Sequence, residues 1–271
     1  MLVVGMLVIG NVYFSYSPFV STYKWLKVAE IAFLAYFVAS WVKTKRSLGF
    51  DPWLLIPAGY SCVLAIWQFF NHGSVGGLWY FLGERAFTFD TPGISPWRPY
   101  ATFSHPNVLM GFLVVSETII LTNLPHFSRK ITALVLVLVV FVLILLPTRG
   151  NLLNGWELRQ QLNGLAVQQW AKSPVFGTGL GTSPLYPRNV TNFAMLRQPI
   201  HNIYLLVLSE TGIVGFVLFG LLIIGNLLRT GNWKLKISFL VIIILGFFDH
   251  YWLTQQQTQL LLAIVLGIIA S

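Results

Sequence analysis

The feature that most constrains this chain is the recurrence of apolar runs close to the length of a bilayer crossing. Eight stretches, roughly 2–16, 25–42, 53–70, 106–123, 131–147, 203–225, 236–250 and 258–270, carry little charge. About 20 apolar residues take an α-helix across the hydrocarbon core, and a helix satisfies its own backbone groups there. Charged residues make up 9% of the chain and hydrophobic ones 56%, against about 25% charged in a soluble domain. That is too little polar surface to cover a globule in water. The expected fold is all-α: a polytopic transmembrane helical bundle of about eight spans, one membrane domain over 1–271. Met1–Tyr16 lacks a basic leading region and a small-residue cleavage site, so it reads as a first membrane helix rather than a signal peptide. The apolar stretch Gly76–Leu82 is too short to span and is expected to be re-entrant or interfacial.

Basic residues then orient the bundle. With the N-terminus in the cytoplasm, the short loops 43–52, 124–130 and 226–235 hold Lys43, Lys45, Arg46, Arg129, Lys130, Arg229 and Lys234. Positive charge in short loops marks the cytoplasmic side. Two long loops, about 71–105 and 148–202, then share the outer face. Both are rich in Trp, Tyr, Pro, Gly, Arg and His rather than in the polar residues of disorder, and long ordered loops usually carry function. The net charge of +9 is expected to serve topology and contact with anionic headgroups; no nucleic-acid motif accompanies it. The single cysteine, Cys62, excludes an intrachain disulfide.

Three segments could hold chemistry. In Trp97-Arg-Pro-Tyr-Ala-Thr-Phe-Ser-His-Pro-Asn107 the prolines prevent a regular helix. Arg98 and His105 there are either a snorkelling arginine and a turn histidine in an aromatic belt or contacts to a ligand. Next comes Arg159, followed by an expected amphipathic helix and then Lys172-Ser-Pro-Val-Phe-Gly-Thr-Gly-Leu-Gly181. No strand and no Gly-Lys-Ser/Thr sequence makes this a phosphate loop, so the glycines are expected to allow a tight turn and close backbone approach. Arg159 itself suits a planar phosphate fork, with a solvated surface arginine as the alternative. The third segment is Arg197-Gln-Pro-Ile-His201-Asn-Ile-Tyr-Leu-Leu-Val-Leu-Ser-Glu210-Thr-Gly-Ile-Val-Gly215. His201 stands at a helix entrance and can take a proton near neutral pH. Asn202 is a candidate helix cap. Glu210, deeper in the helix, is expected to be paired or functional. Glu30, Glu117 and Asp249-His250 read as partners in interhelical polar contacts, with Glu117 and Glu210 as structural polar groups in the membrane. No two histidines lie at i,i+3 or i,i+4, so spacing gives no metal site. Gly-x-Ser-x-Gly and His-Glu-x-x-His are absent, which argues against familiar hydrolases.

The run His201-Asn-Ile-Tyr-Leu-Leu-Val-Leu-Ser-Glu210-Thr-Gly-Ile-Val-Gly215 resembles the signature of the O-antigen ligase and O-antigen polymerase superfamily. So does Arg159 with Pro174-Val-Phe-Gly-Thr-Gly-Leu-Gly181 beyond it, and Arg98-Pro-Tyr-Ala-Thr-Phe-Ser-His-Pro-Asn107 is similar to a pattern of its polymerase-like members. The resemblance covers about 98–225. It implies a membrane glycosyltransferase that moves a glycan from a polyprenyl-diphosphate carrier to an acceptor hydroxyl, on a growing glycan or a lipid A core. The expected place is the outer (periplasmic) face of the bacterial cytoplasmic membrane. The resemblance implies no metal or nucleotide cofactor; the partners would be donor, acceptor and membrane lipids, with no nucleic acid. Carried over by motif, Arg159 would clamp the diphosphate and His201 would be the general base. Arg149, in Pro147-Thr-Arg-Gly150, resembles the family's Ser-Arg element and would be a second clamp. Arg197 is a candidate from charge and position alone. Family members usually carry more spans, and Arg149 and Arg159 stand close together here, so the chain would be a shortened member. Two other readings stay open: a transporter with Glu30, Glu117 and Glu210 along a polar path, and a protein that binds a lipid-linked glycan without turning it over.

Overall fold

The computed structural model describes residues 2–45, 51–88, 98–122, 152–186 and 198–271. The described regular structure is helical: α1 Leu2–Tyr13, α2 Pro18–Lys45, α3 Asp51–Asn71, α4 Leu78–Phe81, α5 Pro106–Thr122, α6 Leu152–Lys172, α7 Ile203–Arg229, α8 Trp233–Gly246, α9 Tyr251–Thr254 and α10 Gln256–Ala270, with a short 3-10 turn at Ser183–Leu185. Three stretches are long and apolar enough to cross a membrane: Pro18–Thr44, Leu54–Asn71 and Ile203–Arg229. Four more apolar helices are shorter: Leu2–Tyr13, Pro106–Ile120, Leu235–Gly246 and Gln256–Ala270. Large apolar side chains such as Leu2, Ile9, Phe19, Phe33 and Leu228 stand exposed, a surface suited to lipid and costly in water. The chain is a helical membrane protein.

Of the eight expected spans, three qualify by length and hydropathy among the described residues; the span expected at 131–147 lies outside them. Local sequence explains the changed bounds. The first run stops at Tyr13, and Pro18 opens α2 seven residues before the expected start, because proline fits the first turn of a helix. The expected loop 17–24 is therefore mostly helix. The loop expected at 148–202 contains the 21-residue helix α6, with Arg159 inside it rather than before it. Leu162, Ala166 and Gln169 bury one face of α6 while Gln161, Gly164 and Gln168 face outward, which is the expected amphipathic pattern. The stretch at Gly76–Leu82 forms only the four-residue α4.

The contacts divide the chain into two compact units, one made of Met1–Ser40, Asn151–Gly231 and Ile242–Ser271, the other of Trp41–Gly150 and Asn232–Val241. In the second unit α3 packs on α5, with Cys62, Leu64, Ala65, Leu109, Leu113 and Val115 fully buried. Gln68 ties the loop that follows: its Oε1 accepts from the amides of Tyr100 (3.0 Å) and Ala101 (2.7 Å), and its Nε2 donates to Glu84 (2.8 Å). Glu84 in turn accepts from the amides of Val75 and Gly76.

The first unit is organised around α7. This helix is interrupted at Gly212, whose φ of 66° and ψ of −169° are not helical. A break in an apolar helix strands backbone groups that lipid cannot satisfy. The loop after α6 supplies the partners on both sides. The amides of Thr178 and Gly179 donate to the carbonyls of Ser209 (3.1 Å) and Glu210 (3.0 Å), and the carbonyls of Pro174 and Val175 accept from Ile213 (2.9 Å) and Val214 (3.3 Å). Gly177 has φ 71°, and a Cβ there would strike the Glu210 backbone; a Cβ on Gly212 would strike the carbonyl of Val175. This is the close approach that the glycine run is built for.

Candidate functional site

Two polar clusters lie within the first unit. The first is a knot at the break in α7. The Glu210 carboxylate is buried and accepts from the amides of Gly181 (2.7 Å) and Ser183 (2.9 Å). Asn11, fully buried on α1, donates to the carbonyls of Phe176 (2.6 Å) and Glu210 (2.7 Å). Its oxygen accepts from Trp25 (2.8 Å), the amide of Leu180 (3.0 Å) and Ser21 (3.1 Å). Gln169 donates to Thr178, closing the knot onto α6.

The second cluster surrounds His201. Asn202 caps α7, its side-chain oxygen accepting from the amides of Tyr204 (2.9 Å) and Leu205 (3.1 Å). This fixes the residue before it at the helix mouth. Ala166 of α6 packs with Ile200 and Leu206, which brings α6 beside the start of α7. On the other side, the Tyr204 hydroxyl donates to the carbonyl of Ile243 (2.7 Å), its ring lies 4.3 Å from Phe247, and Gly246 abuts Ile203 so closely that a Cβ would clash. The end of α8 is thereby pinned against the mouth of α7. The next residues reach His201: its Nδ1 lies 3.1 Å from Asp249 Oδ1, and its Nε2 lies 3.2 Å from Gln198 Oε1. Asp249 Oδ1 also accepts from the amide of His250 (2.8 Å), and the two histidine rings are 4.9 Å apart. The His201 side chain is 18% exposed and that of Asp249 10%. Tyr251 is no competing base: burial, reinforced by the Asp249 carboxylate, pushes its phenol far up and keeps it protonated.

A cavity of about 360 Å³ opens beside this pair, lined by Trp156, Arg159, Asn163, His201, Asn202, Phe247 and Phe248. Trp156, Arg159 and Asn163 occupy positions i, i+3 and i+7 of α6, one helix face. Arg159 makes no hydrogen bond or ion pair with any described residue. The Asn163 Oδ1 atom is buried and lacks a hydrogen-bond partner among the described residues. The arrangement can offer a cation and an acceptor on one wall, a histidine backed by a carboxylate on another, and aromatic rings between them.

Of the residues singled out by sequence, Arg159, His201 and Asn202 come together here, with Asn202 acting as the expected cap. Arg149 and Arg197 lie outside the described residues. Arg98 and His105 belong to the other unit; Arg98 is half-buried with no partner for its Nε among the described residues, and His105 Nδ1 accepts from the amide of Asn107 at the start of α5. Glu210 is paired, as expected of a buried carboxylate. The interhelical contact expected of Glu30 is corrected. Glu30 is exposed and pairs with Lys27 of its own helix at 2.7 Å, the i,i+3 spacing that sets such pairs on one face. Glu117 on α5 is half-buried and interacts electrostatically with Cys62 of α3. Asp249-His250 does form an interhelical contact, but with His201, which makes these two residues part of the site. Asn163 carried no signal in the sequence beyond its register with Arg159.

The fold and site define a class: a helical membrane protein with a histidine–carboxylate pair and an arginine on one cavity. No family model matches the chain, and neither a curated protein nor a solved structure matches it.

Proposed function

We propose that the chain is a membrane glycosyltransferase of the O-antigen ligase or polymerase kind, acting on a polyprenyl-diphosphate-linked glycan at the outer face of the cytoplasmic membrane. The observation that carries the reading is the meeting of Arg159 and His201 on one cavity. Those residues were singled out through two separate motifs, and α6 and α7 bring them together by packing.

The chemistry follows from the side chains. The donor's diphosphate is already a good leaving group, and a guanidinium stabilises the charge that grows on it. The acceptor hydroxyl needs a base. With Nδ1–H donating to Asp249, the imidazole of His201 presents its Nε2 lone pair. An acceptor hydroxyl that displaces the Gln198 carboxamide would give its proton to Nε2 as its oxygen attacks the anomeric carbon. The bond from that carbon to the diphosphate oxygen breaks, and the carrier diphosphate leaves beside Arg159. Asp249 holds the tautomer and stabilises the imidazolium. Trp156, Phe247 and Phe248 offer apolar faces for a sugar ring.

The transporter reading loses support from two of its three carboxylates. Glu30 is paired on an exposed helix face and Glu210 is tied to loop amides, so neither lines an open path. The test is transfer in nanodiscs, followed as release of polyprenyl diphosphate from a lipid-linked glycan supplied with acceptor. The wild type should turn over, and His201→Ala should lose about 10²–10⁴-fold in rate. Equal rates in the two proteins would remove His201 from the mechanism.

A further inference from the structure

Asp249 Oδ1 is flanked by two histidine nitrogens as well as by a backbone amide. His201 Nδ1 is 3.1 Å away and His250 Nε2 3.9 Å. Each of the three residues offers one ligand atom, and the three atoms lie within 4.8 Å of one another. Sequence spacing hides this set, because tertiary packing brings His201 to the adjacent pair Asp249-His250.

The outer contacts of the two rings turn the lone pairs inward. Thr254 Oγ1 donates to the carbonyl of His250 (3.2 Å) and therefore accepts from the Nδ1–H of the same residue at 2.6 Å. That tautomer carries its lone pair on Nε2, the nitrogen beside Asp249. His201 meets acceptors at both ends, Asp249 Oδ1 at Nδ1 and Gln198 Oε1 at Nε2. A neutral imidazole has one N–H and can donate to only one of them. A cation between His201 Nδ1 and Asp249 Oδ1 satisfies the other. Metal-bound histidines are oriented in this way, with the second ring nitrogen held by an outer partner.

We infer that His201, Asp249 and His250 form a binding site for a divalent transition ion of the zinc class. Two imidazoles and one carboxylate suit zinc, with a fourth position left for water or a ligand. Magnesium and calcium prefer all-oxygen sets. Tetrahedral ligand bonds of about 2.0–2.1 Å put ligand atoms roughly 3.4 Å apart, so the widest separation of 4.8 Å closes by roughly 1.4 Å, shared among rotations of the three side chains. When the ion binds, the ring proton of His201 sits on Nε2 and is accepted by Gln198 Oε1, while Nδ1 gives its lone pair to the metal. No net proton is lost from the ring.

The site stands on geometry alone; one consequence rests on the transferase reading. With its proton on Nε2, the metal-bound His201 has no lone pair for an acceptor hydroxyl, so the ion stops transfer.

The experiment uses the full chain in nanodiscs, purified through a tag without histidine. Zn²⁺ is titrated by calorimetry, and Co²⁺ replaces it for visible absorption. One Zn²⁺ per chain should bind, Co²⁺ should give tetrahedral bands, and excess Mg²⁺ should not compete. His250→Gln and His201→Ala should each weaken Zn²⁺ binding at least about tenfold. No stoichiometric binding, or equal affinity in wild type and both variants, overturns the site. Should a variant fail to fold, modification of the wild-type histidines by diethyl pyrocarbonate decides: Zn²⁺ must protect His201 and His250, and absence of protection overturns the proposal. In the transfer assay, Zn²⁺ should inhibit the wild type, and a chelator added in excess should restore its rate. Stoichiometric binding with undiminished wild-type transfer would keep the metal site and count against His201 as the base.

Discussion

The knot around Asn11 and Glu210 and the cavity around His201 and Arg159 lie in the same unit and share α6 and α7, yet they handle polarity in opposite ways. In the knot, the side-chain amide of Asn11 has all its capacity filled, with both hydrogens donated and its oxygen taking three donors. The Glu210 carboxylate is met by two amides. In the cavity, Arg159 has no partner among the described residues and the buried Asn163 oxygen has none either. A satisfied buried network holds a fold together. An unsatisfied buried group costs free energy, and its persistence points to something it waits for. The comparison separates polar residues that build this protein from those that are candidates to act.

The largest effect should come from the knot. Asn11→Ala strips the partner from the Phe176 carbonyl and from the Trp25 and Ser21 donors, while the Glu210 carbonyl keeps the Gly179 amide and the Leu180 amide keeps Ser21 Oγ. At about 1–3 kcal/mol per stranded group, without full additivity, the expected loss is about 3–5 kcal/mol. Thermal melting in detergent or nanodiscs measures it. A loss below about 1 kcal/mol would break the comparison, because the knot would then be no more structural than a surface contact.

Asp249→Asn tests the other side. The substitution keeps shape and removes the charge that orients and stabilises the His201 imidazolium. Stability should change little, since the Asn oxygen can still accept from the amide of His250. Transfer should fall about a hundredfold, in kcat more than in KM. A melt as damaged as that of Asn11→Ala, with residual activity in proportion to folded protein, would make Asp249 another structural group.

The two clusters also differ in how far the sequence disclosed them. Helical class and membrane residence were legible because apolar length is a local property. His201 and Arg159 were legible from motif and position, and Asn202 from capping preference. The glycines were read as a turn with close backbone approach, which the loop at Glu210 bears out. The break at Gly212 was missed: its hydrogen-bond partners lie across a sequence gap of more than thirty residues, and no window of the chain contains both. Asp249 and His250 were seen as polar partners but not as site residues for the same reason. Their proximity to His201 depends on Gly246 and Tyr204 locking α8 against α7. The interhelical role expected of Glu30 failed through a local fact, the Lys27 one turn away.

Arg159→Lys sharpens the comparison on the cavity's side. Lysine keeps the charge and loses the planar fork that grips two phosphate oxygens at once. Donor KM should rise roughly tenfold, about 1.4 kcal/mol, with melting little changed because Arg159 makes no hydrogen bond or ion pair with any described residue. Altered stability with unaltered KM would reassign Arg159 to the fold.

The smallest effect, and the sharpest contrast with Asn11, belongs to Asn163. Both are asparagines inside the first unit, but truncating one should hurt folding and replacing the other should not. In Asn163→Leu the unpaired oxygen disappears while the branching and heavy-atom count of the side chain are kept. Removing a buried acceptor that has no partner recovers its desolvation penalty, so stability should hold or rise by up to about 1 kcal/mol. If that oxygen waits for an acceptor hydroxyl, the same variant should transfer severalfold more slowly, the loss of one hydrogen bond of about 0.5–1.5 kcal/mol. Asn163→Asp restores an oxygen and should recover part of the rate at a small cost in stability. Faster melting of Asn163→Leu without any change in transfer would show that the Asn163 oxygen finds a partner in the folded protein, and the line between the two clusters would then have to be drawn around Arg159, His201 and Asp249 alone.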